Sequence, residues 1–454
     1  MSLEHWEVKA AYHDTPDLPL LKECDVLVVG GGAAGVAAAT VAAEGGMSVT
    51  LIEKYGFCGG AAVAGMSGTI CGMYLAQEGL DTVPEQVVYG FTERFRQELL
   101  NRGGVTPPQI YGKTHTVTHD PLKWREVADD MLESAGVNAL YHTAVTGVLM
   151  GAGNRFDGVV VESNAGRSVI LAKRIIDASG DAAVAARGGL EYYFGDKGVI
   201  QNPTMFFRIG SVDIERYLEY YGEDTICPPK VTDLINQARK TGDYVLPRNK
   251  IWIFPTGRPN ELMVNATRLA GQDGRVLNVI DPEDFTEAEI FGRRQVRDYA
   301  SFLKNYIPGC EDSYVVDTGT EVGIRQTRSI VGVETLSNQD VVSCRKREDG
   351  ICRVPWPIEL HNGEKPKLHW LIDDYYEVPY STLIPKEGEN IIVAGRCLSA
   401  EHEALASARV TAQCFEYGHA AAIASILSIR NGQAYREINP AEIREQMKQN
   451  GSAL

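Results

Sequence analysis

The stretch Asp25-Val26-Leu27-Val28-Val29-Gly30-Gly31-Gly32-Ala33-Ala34-Gly35 decides the fold. Four consecutive apolar residues read as a buried strand, and the glycines behind them have G-x-G-x-x-G spacing in front of an alanine-rich helical pattern that runs to Glu44. A second apolar run, Ser48 to Ile52, completes a βαβ unit. The chemistry of such a turn is specific. Gly30 permits a tight bend, Gly32 lets the backbone approach a pyrophosphate and Gly35 allows the helix to pack closely on the strand. With Ala33 and Ala34 the turn opens a helix whose free N–H groups and positive end attract phosphate. Glu53 stands at the end of the second strand, where a carboxylate accepts hydrogen bonds from adenosine ribose hydroxyls and repels a 2′-phosphate. FAD or NAD is therefore favoured over NADP.

Composition narrows the function classes. The chain has 454 residues, 44% of them hydrophobic and 23% charged, which is ordinary for a globular protein and excludes wholesale disorder. Its 44 basic and 60 acidic residues give a formal charge of −16, so a nucleic-acid partner or an anionic membrane surface is disfavoured and a small-molecule substrate is expected. Two charge-free stretches, 26–43 and 55–77, are broken by glycines; no membrane span and no signal peptide are expected, and a cytoplasmic location follows as the expectation. Nine cysteines scattered from Cys24 to Cys414 contain no C-x-x-C pair, which argues against a disulfide framework or a zinc site. Cys58, the thiol nearest the glycine turn, reads as a packing residue.

Patterning predicts a Rossmann-like α/β nucleotide-binding domain made of discontinuous segments, 23–190 and 376–432. An arm (1–22) precedes it, an α+β substrate cap (191–375) is inserted and a C-terminal tail (433–454) follows. Helical patterns at 84–102 and 122–136 precede three short strands, at 137–148, 157–161 and 168–171; the segment 174–178 then returns to the sheet as a parallel strand. Within the cap, strands near 204–209 and 251–254 and a helix near 286–306 are expected. A buried strand at 390–394 and a long helix over 408–429 close the domain.

Three later features favour FAD over NAD. Gly59-Gly60 brings a second flexible backbone to the pyrophosphate, Asp177-Ala178-Ser179-Gly180-Asp181 returns a glycine turn to the adenosine side, and Ile391 to Arg396 ends a strand at Gly395. The helix beyond Ala408 could then aim its N–H groups at the flavin pyrimidine ring, where reduction places negative charge. A second dinucleotide fingerprint is missing, so a separate NAD(P)H domain is not expected.

With these motifs, and with His119-Asp120-Pro121, Gly323 to Arg328, Pro379-Tyr380, Ala394-Gly395-Arg396-Cys397, His402-Glu403-Ala404 and Arg409-Val410, the chain resembles the FAD-dependent oxidoreductases of glutathione-reductase-like type, and more distantly fumarate reductase flavoproteins and thiazole synthases. The resemblance implies FAD as cofactor and a redox reaction, and adds Lys54, Val145, Arg396 and Val410 to the candidate cofactor contacts. Ala61-Ala62 departs from the small hydroxyl residues common after the glycine pair. Candidates for the reaction itself are Arg325, with Arg328 beside it, as carboxylate or flavin partners; His361 and His402 as proton carriers; and Arg409 at the pyrimidine edge. Tyr380 and His119 are weaker choices. The expected activity is hydride transfer between flavin N5 and a small organic substrate. The alternative is a flavoprotein electron-transfer subunit, against which the lack of cysteine clusters speaks. The electron acceptor stays open, and a homo-oligomer is compatible with the sequence.

Overall fold

The computed structural model describes residues 18–79, 83–361 and 366–454. Its centre is a mixed sheet. Strand β1 (Leu20–Val29) runs parallel to β2 (Val49–Ile52), with Val28 opposite Leu51, and β2 runs parallel to β3 (Asn138–Leu140). Val26, Leu27 and Val28 are wholly buried because both faces of β1 are covered, which is why this strand reads as a continuous apolar run and not an alternating one. Helix α1 (Ala33–Glu44) crosses behind the sheet. The meander follows as β4 (Ala144–Met150), β5 (Phe156–Ser163) and β6 (Gly166–Asp177), giving the order β3-β2-β1-β6-β5-β4.

Two expectations change here. Leu20, Leu21 and Lys22 belong to β1, not to an arm, since Leu20 pairs with Val169 and Lys22 with Ile170; the rest of the expected arm, up to residue 17, lies outside the described residues. The segments 168–171 and 174–178, expected as two strands, form the single strand β6. No turn residue separates Leu171 from Arg174, and the alternation of Ser168, Ile170 and Ala172 inward continues into the fully buried Ile175-Ile176-Asp177. Along one edge β6 runs parallel to β1; along the other its first half is antiparallel to β5.

Between these segments a second core spans Met205 to Val322. It is covered by the antiparallel sheet β7 (Phe207–Gly210), β8 (Trp252–Pro255), β9 (Leu262–Asn265) and β10 (Tyr314–Thr318), in the order β8-β9-β7-β10, and by the long helix Pro282–Tyr306. Leu336, Ile351, Trp356 and Leu371, within the expected cap, share one core cluster with β1 and α1.

The chain then returns as β11 (Ile391–Val393), parallel to the second half of β6 with Ile392 opposite Ile176. The helix expected over 408–429 is α3 (Thr411–Asn431), and a short helix that was not expected, α2 (His402–Ala408), precedes it across Arg409-Val410. Helix α3 is buried on nearly all sides and lies against α1; a Cβ on Gly418 would stand 2.0 Å from the Ala34 carbonyl oxygen. Nor is 433–454 a loose tail. Tyr435, Ile438 and, from α4 (Pro440–Gln449), Ile443 and Met447 enter the main core.

Helix α1 lies directly on the backbone of the glycine turn. A Cβ at Gly35 would lie 1.8 Å from the Gly30 carbonyl oxygen, and since both partners are backbone the collision cannot relax by a rotamer change. Gly35→Ala should therefore destabilise the protein by at least about 1–3 kcal/mol, read as a fall in the thermal midpoint by circular dichroism.

Candidate active site

At the end of β1 the backbone turns at Gly30 (φ +100°), where a Cβ would press to 2.6 Å on the Ala178 carbonyl oxygen; the turn and the end of β6 are thus in direct contact. The Gly31 N–H donates to Glu53 Oε2 at 2.7 Å and the Tyr55 N–H to Oε1 at 3.0 Å. These bonds fix a carboxyl whose pKa burial pushes up. Gly59 and Gly60 take the left-handed conformations that a side chain disfavours, and the Gly59 N–H donates to the Gly31 carbonyl at 2.8 Å. The two glycine pairs face each other. Gly32 caps α1, and a Cβ on it would meet only the Cα of Gly60, at 3.9 Å. The space that the missing side chain leaves opens into a cleft with a free volume of about 230 Å³.

The cleft brings together most of the residues singled out by sequence. Gly30, Gly32, Ala33, Ala34, Glu53, Lys54, Gly59 and Gly60 line one end; Ala178, Gly180, Asp181, Gly395 and Arg396 line its flank; Arg409, Val410, Arg325 and His361 line the other end. Arg396 is held by Asp181 at 2.8 Å and Thr327 at 3.3 Å. Glu321, from the inserted unit, accepts from Lys54 Nζ at 3.0 Å and from the Tyr55 hydroxyl, joining the two units across the mouth.

Other candidates stand apart. Gly35 lies beneath the turn as a packing residue. Val145 is on β4 opposite Val161, packs on a separate apolar cluster that includes Phe156 and Val159, and does not line the cleft. His402 is buried beside Gly195 and does not line the cleft. Arg328 donates to the Asp181 carbonyl at 3.3 Å and lies over the Tyr192 ring. The Tyr380 hydroxyl donates to the Tyr435 carbonyl at 3.1 Å, and the His119 ring packs at a tilt of 48° against Trp124, 4.5 Å between ring centroids, so both belong to the core. Cys58 is buried below the Tyr141 hydroxyl at 3.6 Å, and burial pushes its thiol up to about 12, as a packing residue requires.

The far end of the cleft contains side chains that sequence patterning did not single out. Tyr111, from a short hairpin, donates its hydroxyl to Glu359 Oε1 at 2.7 Å, and His361 Nε2 stands 3.6 Å from the same oxygen. Glu359 and His361 are two apart in an extended segment, which puts them on one face. A charged residue inside Trp356-Pro357-Ile358-Glu359-Leu360 was the available signal. Burial opposes ionisation of Glu359, yet His361, the Tyr111 hydroxyl and Arg409 around it hold the carboxyl down at about 2. Burial, and then Arg325, push the His361 imidazole down to about 3. At neutral pH the pair is thus a carboxylate beside a neutral imidazole. Arg325 donates to the Asn202 carbonyl at 2.8 Å and Arg409 to Gln201 Oε1 at 3.1 Å. Burial draws both guanidinium groups below their usual range, Arg409 to about 10. Arg409 does not open α3; it caps the C-terminus of α2, and Val410 is the cap of α3.

Parallel strands at the centre of a mixed sheet, a glycine turn feeding a helix N-terminus, a buried acid at the end of the second strand, and one cleft running from there to a cluster of titratable side chains define a dinucleotide-dependent redox enzyme. The chain belongs to the FAD-dependent oxidoreductase family, whose model matches residues 25–447; FAD is its cofactor. No curated protein matches the sequence. Among solved structures it is similar to a geranylgeranyl bacteriochlorophyll reductase-like protein of Thermoplasma acidophilum (15% identity, 94% of this chain and 83% of that one, TM-score 0.47). It is also similar to a flavin-dependent brominase (14%, 94% and 84%, 0.48) and to p-nitrophenol 4-monooxygenase of Pseudomonas putida (13%, 94% and 86%, 0.48). Among the described residues no helix is long and apolar enough to cross a membrane, and no group of three metal-ligating side chains occurs.

The geometry separates folding from cofactor binding. Gly32→Val should fold with nearly unchanged thermal stability and lose FAD, because its side chain occupies open space in the cleft and not the protein interior; absorbance of the purified variant checks this. A second expectation concerns His119, which burial pushes down to about 4 from an ordinary 6.5. A folded-state pKa below the unfolded one means that the neutral imidazole contributes stability above pH 6.5, and that this is lost as pH falls towards 4. His119→Phe should flatten that decline by roughly 2–3 kcal/mol, measured by denaturant unfolding at pH 7 and pH 4.

Proposed function

We propose that the cleft receives FAD with its pyrophosphate on the 30–35 turn, its adenosine ribose at Glu53 and its ring system towards Arg409, and that the enzyme moves a hydride between flavin N5 and a small organic substrate. The observation that carries this reading is the continuity of the cleft from the glycine turn to the Tyr111–Glu359–His361 cluster. FAD supplies, when bound, a two-electron acceptor and donor. The chain supplies everything else. The N-terminus of α1 and the open backbone of Gly32 and Gly60 neutralise phosphate charge. Gly395 (φ +96°) keeps the strand end clear of side chain. Arg409 and the first turn of α3 balance negative charge at the pyrimidine edge; within that turn the Ala412 N–H is already engaged by the Cys71 carbonyl at 3.2 Å, which leaves its neighbours for the ring.

Proton handling falls to His361 and Tyr111. His361 is neutral, and its Nδ1 has no hydrogen-bond partner among the described residues, so it can accept a substrate proton while Glu359 stabilises the resulting imidazolium. Phe206, Phe254 and Trp356 on the cleft walls exclude water from that exchange.

The purified protein should release FAD on denaturation, and anaerobic titration against a metabolite panel should bleach the flavin with one compound class. Release of FMN, or a protein that stays colourless on reconstitution, would sink the proposal, and reduction by a protein donor alone would replace it with an electron-transfer role. His361→Gln should slow flavin reduction by about 10²–10⁴-fold with FAD content unchanged. Arg409→Met should lower the flavin midpoint potential while retaining FAD.

A further inference from the structure

Three arginines meet at the buried end of the cleft, where Glu359 is the lining carboxylate. Arg325 lines the cleft and is 6% exposed. Arg248, 3% exposed, shares a small adjoining recess with Arg325 and His361, and lies over the Trp252 ring at 4.6 Å. Arg409 completes the set on the cleft wall, so the arginines there are in excess of the lining carboxylate, Glu359.

Their hydrogen bonds do not account for the excess. Arg325 reaches a backbone carbonyl, Arg409 an amide oxygen and Arg248 the Asn265 amide oxygen at 3.4 Å; all three acceptors are uncharged. Nη2 of Arg248 and Nε of Arg409 are buried without a partner among the described residues. Buried charge is normally matched by an opposite charge, since an unpaired ion inside a protein costs several kcal/mol. Here the protein holds the guanidinium groups in place with neutral acceptors and leaves donors over. The walls around them are aromatic, Phe254 and Trp356.

We infer that the substrate of the proposed reaction is a carboxylate, bound by Arg325 with Arg248 and Arg409 as flanking charges, its apolar body against Phe254 and Trp356. This rests on the reading of the cleft given above. The guanidinium fork suits a carboxylate because two parallel N–H donors match its two oxygens. Glu359 then acts against a second acidic group placed beside it, which favours a substrate whose reacting end is uncharged.

The test uses the FAD-loaded protein and three acid–amide pairs, benzoate with benzamide, butyrate with butyramide and succinate with succinamide, at constant ionic strength with inorganic phosphate as a further arm. The flavin difference spectrum and the fluorescence of Trp252 and Trp356 report binding. At least one acid should bind ten times or more tightly than its amide and more tightly than phosphate. Arg325→Gln should lose that preference with FAD content unchanged, and Arg325→Lys should recover part of it; if the Gln variant does not fold, Arg248→Gln provides the same comparison. Equal binding of acids and amides, tighter binding of phosphate, no binding at all, or an acid preference that survives in the Gln variant would overturn the inference. A protein that holds no FAD would defeat the functional reading instead, and tryptophan fluorescence would still decide whether the arginines bind carboxylates.

Discussion

The structure depends on two side chains that are not there. Gly30 and Gly35 let α1 descend onto the turn until helix backbone touches strand backbone, and Gly30 also lies against the carbonyl of Ala178. Through this one contact the ends of β1 and β6 and the start of α1 are fixed relative to each other. Glu53 adds the end of β2, because its carboxylate is held by the Gly31 N–H. The glycine pair 59–60 is then tied to the turn by the Gly59 N–H, and Gly418 repeats the device on the far side of α1, where α3 comes as close to Ala34. Small residues thus decide where the backbone of the cleft lies, and larger ones decide what it does.

The two ends of the cleft differ in how they are made. The glycine end is backbone, preset by packing, and its one buried carboxyl is satisfied by two N–H groups. The other end is assembled from side chains of segments far apart in sequence: the hairpin that carries Tyr111, the stretch around Arg325, the extended segment of Glu359 and His361, and the link between α2 and α3. Keeping ionised groups there requires partners of defined geometry, and the Tyr111–Glu359 bond together with the carbonyl and amide acceptors of the arginines meets part of that requirement.

What could be read from sequence follows the same division. Gly30 to Gly35, Glu53, Gly59-Gly60 and Gly395 are legible because backbone demands of a dinucleotide turn act over a few neighbouring residues. Arg325, His361 and Arg409 were found as residue types near family motifs, and they do line the cleft. Tyr111 and Glu359 were not, since their meeting is a product of tertiary packing across hundreds of residues. His402 and Val145 stand away from the cleft for the converse reason, that position beside a motif along the chain does not fix position beside a cavity. The short helix α2 is not legible because seven residues carry too little periodic pattern to mark a helix in front of the one expected from Ala408.

The late arrival of β11 has a consequence for synthesis. Ile175, Ile176 and Asp177 of β6 pair with residues 391 to 393, so that edge of the sheet has no strand partner in β11 until the chain has been synthesised past residue 393. An apolar, unpaired strand edge is a template for pairing with other chains, and contacts of such sequence separation form slowly. Yield in the cell should accordingly depend on how long the nascent edge stays shielded, with chaperone occupancy, and not final stability, setting the fraction that escapes aggregation.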